Sequence, residues 1–272
     1  TGVDAIGDTP VAIVGGGFSG TMTALHLARR GVEAVLIDGS GREGRGVAYS
    51  TTDPAHVLNV PAAKMSAWPD QPDHFAEWSG LGGGAFAERR AYGRYLSEQL
   101  AASAVEVVEA MASGAERSGS GWRIATADGG TIEASALVLA QGNQPPAPLA
   151  VAERLPVSLY VANPWTEEAR AAVCRAAERD SDVLIIGTGL TMIDTVLSLV
   201  EAGHGGRITA LSRRGLVPRA HADPAPPPAP VVPPPVILVG EEADVHAAVT
   251  AIREGAADFV FGRQHYLQRR IR

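Results

Sequence analysis

The fold is decided by residues 11–20, which read VAIVGGGFSG. The first four residues are apolar and mostly β-branched, as in a buried parallel strand. The residues after the glycines have helical spacing, which predicts a helix from Phe18 to Arg30 that ends at Gly31. The stretch therefore predicts a strand, a tight turn and a helix in succession.

Three glycines of this turn suit a binding site for a dinucleotide. Gly15 permits the turn, Gly17 lets the backbone approach a pyrophosphate, and Gly20 lets helix and strand pack closely. The start of the helix adds free amide donors and the positive end of its dipole. The next predicted strand, 32–37, is followed by Asp38, where an acid would bind ribose hydroxyls. An ordinary glycine-rich turn is the alternative, but the order of strand, helix, strand and acid favours a dinucleotide.

A second fingerprint of the same type begins at residue 187 and reads GTGLTM. It follows an apolar run over 182–186 and precedes a predicted helix, 190–201, and a predicted strand, 207–212. Met192 stands where the third glycine would be, which predicts a wider gap between helix and strand. Two such sites on one chain indicate a protein that handles two nucleotides.

Two arginines follow the strand predicted over 207–212. Arg213 and Arg214 occupy the place where an acid would bind a free ribose hydroxyl, whereas arginine accommodates a 2′-phosphate. The pair therefore favours NADP(H) over NAD(H). A solvated arginine pair in a loop is the alternative.

The predicted fold class is α/β, with two Rossmann-like dinucleotide-binding units of parallel sheets flanked by helices. A small antiparallel insertion is expected in the first unit, because the runs 122–126 and 131–133 flank the hairpin signal Asp128-Gly129-Gly130. A helix is predicted over 92–104 and a buried strand over 136–140.

The chain of 272 residues is long enough for two domains, which we expect over 1–150 and 151–272. Residues 223–235 carry eight prolines and predict an extended linker. The atypical segment after this linker is predicted as strand, helix and strand, over residues 236–239, 244–254 and 257–261.

Composition argues against several partners. The formal net charge of −7 argues against nucleic acid and against an anionic membrane surface. Apolar runs are far shorter than the roughly 20 residues of a membrane span, and no secretory signal is visible. The only cysteine, Cys174, excludes an internal disulfide and paired redox thiols. We therefore expect a soluble, cytoplasmic protein that acts on a small-molecule substrate, without a membrane or nucleic-acid partner.

No catalytic side chain can be identified from the sequence. The histidines show no metal-ligand spacing with cysteines or carboxylates, so no metal site is expected. His56 is the best placed lone imidazole, although a structural or solvent-exposed histidine is the favoured interpretation. Trp165 is one of three tryptophans that either stack near a cofactor or pack under a long loop.

The ordered motifs resemble the FAD-NAD(P)-binding family of two-dinucleotide-binding flavoproteins, which is related to flavin-dependent N-hydroxylating monooxygenases. The resemblance covers roughly residues 9–220. Besides the two fingerprints, it rests on GVAY at 46–49, HVLNVP at 56–61, MSAWPD at 65–70, AQGN at 140–143, NPW at 163–165 and LSRRG at 211–215.

The resemblance implies that 1–150 is an FAD-binding domain and that 151–272 is an NAD(P)-binding domain, with FAD and NADP(H) as cofactors. The residues implied on the FAD side are Gly15, Gly17, Phe18, Ser19, Gly20, Asp38, Gly46, Ala48, Tyr49, Asn59, Met65, Ser66, Val108, Ala140 and Gly142. Those implied on the nicotinamide side are Gly187, Gly189, Leu190, Thr191, Arg213 and Arg214.

Some of these residues have more specific implied positions. Asp38 would bind the adenosine ribose, and Val108 would lie near the adenine. Residues 140–142 would form the crossover that closes the FAD domain. The path toward the flavin ring would be lined by Asn59, Met65 and Ser66.

The implied activity is that of an FAD-dependent, NAD(P)H-using oxidoreductase, in particular a monooxygenase acting on a small metabolite such as an amine. Two alternatives stay open. After Pro235 no strand, acidic ribitol contact and helix that return to the FAD domain are evident, which allows a truncated, non-catalytic nucleotide-binding or redox-sensing module. The other alternative is an FAD-only oxidase with a vestigial second domain.

Overall fold

The computed structural model describes residues 9–220. The chain divides into two units after Pro218, and every helix and strand given below belongs to the first unit. The linker predicted over 223–235 and the three elements predicted after it lie outside the described residues. The domain boundary near residue 150 stays a prediction.

The described residues form nine strands and five α-helices. The strands are β1 (Val11–Val14), β2 (Ala34–Ile37), β3 (Glu106–Val108), β4 (Ala112–Ser118), β5 (Gly121–Thr126), β6 (Thr131–Ala134), β7 (Ala136–Leu139), β8 (Val183–Ile186) and β9 (Ile208–Leu211). The helices are α1 (Phe18–Ala28), α2 (His74–Ser79), α3 (Arg89–Ala101), α4 (Glu167–Arg179) and α5 (Leu190–Glu201).

The first fingerprint lies in a parallel sheet of four strands in the order β3-β2-β1-β7. Val14 pairs with Ile37 on one side and with Leu139 on the other, so three strands end level with one another. Every residue of β1 and β2 is buried, which explains why β1 reads as an unbroken apolar run. The predicted strand, turn and helix of residues 11–30 are confirmed, with α1 ending two residues early.

Different layers cover the two faces of this sheet. On one face, Ile13 and Leu36 pack with Leu25 of α1 and Leu100 of α3. On the other face, the alternate residues of β1 and β2 pack with the fully buried Ile124 of β5. The layers leave the carboxyl ends of β1 and β2 at one edge, where the glycine turn and Asp38 follow.

The second layer is an antiparallel sheet in the order β4-β5-β6. The hairpin predicted around Asp128-Gly129-Gly130 is confirmed, with Gly129 at a φ of +90°. The sequence did not predict β4, whose register shifts between Ala112 and Gly114. The central residues of β4 are exposed, so its sequence ASGAERS carries no apolar alternation that would mark a strand.

The second fingerprint lies between β8 and α5, and β8 pairs in parallel with β9. The helix predicted over 190–201 is confirmed at both ends. Unlike β1, β8 alternates between half-buried and exposed residues, with Leu184 and Ile186 exposed.

A long loop between β2 and α3 folds onto an aromatic cluster. Phe75 of α2 packs between Tyr92 and Tyr95 of α3, and all three side chains are buried. The prediction of a helix over 92–104 was wrong by three residues at each end, because the extended residue Glu88 starts the helix at Arg89. None of the helices in residues 9–220 has both the length and the apolar surface for a bilayer crossing.

Candidate functional site

The first glycine turn is so tight that only glycine fits at two of its positions. Gly15 has a φ of +107°, and a Cβ there would lie 2.3 Å from the carbonyl oxygen of Ala140. A Cβ on Gly20 would lie 1.8 Å from the carbonyl oxygen of Gly15. These are the two tasks predicted for them, a turn in the left-handed region and close packing of the helix.

Gly17 has more room than its neighbours. A Cβ there would meet only the Cα of Gly46, at an ordinary 3.6 Å. Within residues 9–220, the N–H groups of Gly17, Phe18 and Ser19 have no hydrogen-bond acceptor. They lie at the start of α1, where unpaired donors and the helix dipole attract phosphate. The donors and the space beside them fit the pyrophosphate of FAD.

Asp38 lies beside this turn, just after β2. Its carboxylate accepts hydrogen bonds from the N–H of Gly16 and, at 2.6 Å, from the N–H of Ser40. Its own N–H donates to the carbonyl oxygen of Val108 at 3.0 Å. The structure thus brings the predicted ribose-binding acid and the predicted adenine neighbour to the same edge as the pyrophosphate donors.

The loop over residues 46–49 crosses the glycine turn. Gly46 has a φ of +53°, and a Cβ there would lie 2.9 Å from the Cα of Gly17. The ring of Tyr49 packs edge-on against Phe18, with centroids 6.0 Å apart. Ala48 is exposed. The loop therefore lies against the glycine turn, and the role in FAD binding implied for its residues stays a prediction.

The three residues predicted along the path to the flavin ring have unequal surroundings. The amide oxygen of Asn59 accepts from Nη2 of Arg89 at 3.4 Å. Ser66 donates to two carbonyl oxygens of its own loop, at 2.6 and 3.0 Å. Met65 packs against the aromatic cluster. Asn59 thus links its loop to α3, whereas Ser66 fixes a turn.

The crossover after β7 completes the first turn. The N–H of Ala140 donates to the carbonyl oxygen of Val14 at 2.8 Å, which continues the β1–β7 pairing beside Gly15. Gly142 follows two residues later at a φ of +70°, and a Cβ on it would meet nothing within 4 Å. Of the two predicted crossover residues, Ala140 is the one that contacts the turn.

The second glycine turn offers similar donors in a more open setting. Gly187 has a φ of +112°, and its N–H donates to the carbonyl oxygen of Leu211 at 2.7 Å. A Cβ on Gly187 or Gly189 would meet nothing within 4 Å. In the described part of the chain, the N–H groups of residues 189–191 have no acceptor. The start of α5 thus fits a second phosphate group, and the buried Met192 occupies the place of the third glycine.

Both arginines after β9 are exposed. Neither Arg213 nor Arg214 forms an ion pair with another residue of the range 9–220. The chain turns directly after β9, where the N–H of Gly215 donates to Ser212 Oγ at 3.0 Å. Their charges are therefore available to an anionic group at the carboxyl end of β9.

A pocket of about 370 Å³, which we call the arginine pocket, opens beside Tyr49. Its lining comprises Arg45, Tyr49, Ser50, Thr51, Thr52, Glu88, Arg90 and Arg94. Nε of Arg90 lies 2.5 Å from the carboxylate of Glu88, whereas Nε of Arg45 is buried with no acceptor among residues 9–220. Three arginines against one glutamate give the pocket a net positive charge that suits an anion.

Sequence reasoning missed a buried ion pair between α3 and α5. Nη1 of Arg89 lies 2.8 Å from Oδ2 of Asp194, and Nη2 lies 3.2 Å from Oδ1. The two residues are only 9% and 6% exposed. Burial raises the pKa of the Asp194 carboxyl, and the charge of Arg89 opposes that shift. The available signal was one charged residue inside the apolar run of α5.

A second polar contact lies beside this ion pair. Nδ1 of His56 lies 2.8 Å from Oγ1 of Thr51, and Nε2 lies 2.9 Å from Oγ of Ser198. Ser198 donates to Oδ2 of Asp53 at 2.5 Å, so its oxygen is free to accept and Nε2 carries the proton. His56 is buried and hydrogen-bonded, which agrees with the structural interpretation favoured from the sequence.

The family model for FAD-NAD(P)-binding proteins matches residues 12–144. This range holds the first glycine turn, Asp38 and the crossover after β7. The predicted family resemblance is confirmed over the range, and FAD and NAD(P) are the cofactors that the family description names. No curated protein matches the sequence of this chain.

Several solved structures resemble the described fold. A flavin-containing monooxygenase from Stenotrophomonas maltophilia has a TM-score of 0.55 and 20% identity, over 75% of this chain and 57% of its own. A thioredoxin reductase from Lactococcus lactis has a TM-score of 0.51 and 21% identity, over 77% and 58%. A bacillithiol disulfide reductase from Staphylococcus aureus has a TM-score of 0.52 and 22% identity, over 77% and 58%.

The chain thus spans 57% to 58% of the length of these proteins, and the similarity establishes the fold. The predicted α/β class, with parallel and antiparallel sheets, is confirmed. Residues 12–144 of this chain thus match the model of the FAD-NAD(P)-binding family.

Proposed function

We propose that this chain is the nucleotide-binding core of an FAD-dependent, NAD(P)H-using oxidoreductase. One observation carries the proposal: two glycine turns, each with unpaired N–H groups at the start of a helix, follow strands of two parallel sheets in one compact unit. One such turn suits one dinucleotide. Two turns suit a donor and an acceptor of electrons.

In this reaction the residues of the chain would bind and orient the cofactors and neutralise their phosphate charges. A bound flavin supplies the ring that accepts a hydride. The N–H groups of Gly17 and Ser19 would neutralise its pyrophosphate, and Asp38 would fix its adenosine ribose. Tyr49 lies against Phe18 beside this cradle, so its ring would exclude water from one side of the cofactor.

NADPH is the proposed electron donor. The N–H groups of residues 189–191 would hold its pyrophosphate. Arg213 and Arg214 are exposed at the end of β9 and would bind the 2′-phosphate, which NADH lacks. A bidentate guanidinium–phosphate contact is strong enough to decide between the two nucleotides.

Within this class, we propose a monooxygenase acting on a small metabolite. The similar structures include both a monooxygenase and disulfide reductases, and the sequence favours the former because Cys174 is its one cysteine. The arginine pocket narrows the class of substrate that we propose. Its positive charge favours a metabolite that bears a carboxylate or phosphate over a simple cationic amine.

The test is the visible spectrum of the FAD-reconstituted protein, recorded without oxygen before and after NADPH or NADH. We expect flavin absorbance at about 450 nm that bleaches faster with NADPH. The double variant R213E/R214E should keep its FAD but lose the preference for NADPH. A protein that never takes up FAD would contradict the enzyme proposal.

These anaerobic spectra, together with a separate measurement of oxygen uptake in air, separate the alternatives. A flavin-loaded protein that NADPH does not reduce would indicate a nucleotide-binding or redox-sensing module. Oxygen consumption that R213E/R214E leaves unchanged would indicate an FAD-only oxidase.

A further inference from the structure

The guanidinium of Arg89 contacts three separate segments. Nε donates to the carbonyl oxygen of Val57 at 2.9 Å, and Nη2 lies 3.4 Å from Oδ1 of Asn59. Both oxygens belong to the loop on the proposed flavin side. Nη2 donates to Oδ1 of Asp194 at 3.2 Å, and Nη1 lies 2.8 Å from Oδ2 as an ion-pair contact. One side chain therefore links the loop on the proposed flavin side to the helix that begins at the second glycine turn.

Asp194 is well placed to transmit such a contact. It lies five residues after Gly189, in α5, whose first N–H groups form the second phosphate cradle. An α-helix has about 3.6 residues per turn, so Asp194 lies about one turn beyond the start of α5. A contact that orients Asp194 therefore also orients the cradle. Fixing Asp194 fixes the nucleotide that the start of α5 would bind.

The burial of this pair argues for a positional task. Arg89 and Asp194 are 9% and 6% exposed, and Trp165 lies 5.8 Å from the guanidinium. Removing two charges from water costs about as much as their attraction returns, so such a pair adds little net stability. The guanidinium is planar, however, and its simultaneous contacts with Val57, Asn59 and Asp194 favour one orientation of α3 relative to α5.

The hydrogen bonds of His56 hold the same helix about one turn further along. Nε2 of His56 lies 2.9 Å from Oγ of Ser198 and 3.2 Å from the carbonyl oxygen of Asp194. Ser198 also donates to Asp53. The loop and α3 therefore fix α5 at two successive turns.

We infer that Arg89 is a positioning residue that sets the geometry between the flavin site and the nicotinamide nucleotide site. The inference rests on the proposed function, since it concerns hydride transfer between the two cofactors. Arg89 acts through Asn59 and Asp194, which it contacts directly.

The test compares Arg89→Met, Arg89→Lys and Asp194→Asn with the parent, all loaded with FAD. The limiting rate of flavin reduction at saturating NADPH should fall at least tenfold in R89M and D194N, because small misplacements of reacting groups cost up to about 100-fold. Arg89→Lys keeps the positive charge but not the planar guanidinium, so its limiting rate should lie between those of R89M and the parent. FAD content and reduction by dithionite should match the parent.

Arg123→Met is the matched control. Arg123 also forms an ion pair, at 2.6 Å with Glu133, but it lies 47% exposed on the antiparallel sheet. Its loss should leave the reduction rate unchanged. A merely structural role for Arg89 would lower the melting temperature of R89M without changing the limiting rate, and would overturn the inference.

Hydrogen exchange of the cofactor-free proteins gives a second readout. Backbone N–H groups of α5 should exchange faster in R89M and D194N, whereas those of α1 should not. If NADPH fails to reduce even the parent, the proposed function fails, and the exchange of α5 alone decides whether Arg89 fixes this helix. Unchanged exchange in both variants would overturn the inference.

Discussion

Gly17 and Gly20 lie three residues apart, yet alanine should impair folding at Gly20 and cofactor binding at Gly17. In Gly20→Ala the Cβ would lie 1.8 Å from a backbone oxygen, so we expect a loss of about 1–3 kcal/mol or more in the free energy of unfolding. In Gly17→Ala the nearest atom is 3.6 Å away, so the fold should tolerate the methyl group.

The Cβ of Gly17→Ala would, however, occupy the space beside the free N–H groups. We therefore expect normal urea unfolding but at least tenfold weaker FAD binding, measured by flavin fluorescence titration. If G17A bound FAD as the parent does, the pyrophosphate would have to lie elsewhere.

Gly93 shows how packing reverses a helix propensity at the level of an element. Replacing a glycine inside a helix by alanine usually stabilises by about 1 kcal/mol. In α3, however, a Cβ on Gly93 would lie 2.5 Å from the carbonyl oxygen of Tyr49, which belongs to the loop over the glycine turn. We expect Gly93→Ala to lower the melting temperature and weaken FAD binding. A higher melting temperature for G93A than for the parent would show that this loop moves to accept the methyl group at little cost.

The start of α4 offers a cleaner test of one element. Oγ1 of Thr166 accepts from the N–H of Ala169 at 3.2 Å, and Glu167 and Glu168 in the first turn favour the helix dipole. Thr166→Ala should cost about 1 kcal/mol in urea unfolding, whereas Thr166→Ser keeps the acceptor and should cost much less. Equal losses in both variants would assign the effect to the methyl group of Thr166.

The aromatic cluster makes the whole molecule sensitive to alkaline pH. Burial raises the pKa of Tyr92 and of Tyr95 above the ordinary value of 10.0. Above pH 10 the unfolded chain loses these protons while the folded chain keeps them. The free energy of unfolding should therefore fall as pH rises past 10, by at most about 1.4 kcal/mol per pH unit for each tyrosine.

Urea unfolding between pH 9 and 11, with about 10 as the midpoint for free tyrosine, measures this dependence. Tyr92→Phe removes one of the groups and should show a shallower decline than the parent. A decline of the same slope in both proteins would mean that Tyr92 ionises as readily in the folded chain as in the unfolded one.

Local chemistry let the sequence by itself determine both glycine turns, β1, the β5–β6 hairpin and α5. Glycine at positions 15 and 187 indicates a turn with a positive φ, because glycine adopts that conformation without strain. The apolar, mostly β-branched run of β1 indicates a buried strand in the same local way. The spacing from Gly20 to Asp38 likewise reflects one βαβ unit.

Only the tertiary structure decided the arginine pocket, the place of β4 and the contacts of Arg89. Arg89 and Asp194 lie 105 residues apart, and helical periodicity shows which face of α5 is apolar but not which charge will meet it there. The exposed β4 carries no alternation because it buries too little surface to select for one. A charged residue inside an apolar run marks one member of such a pair at most, so its partner becomes known only from the folded chain.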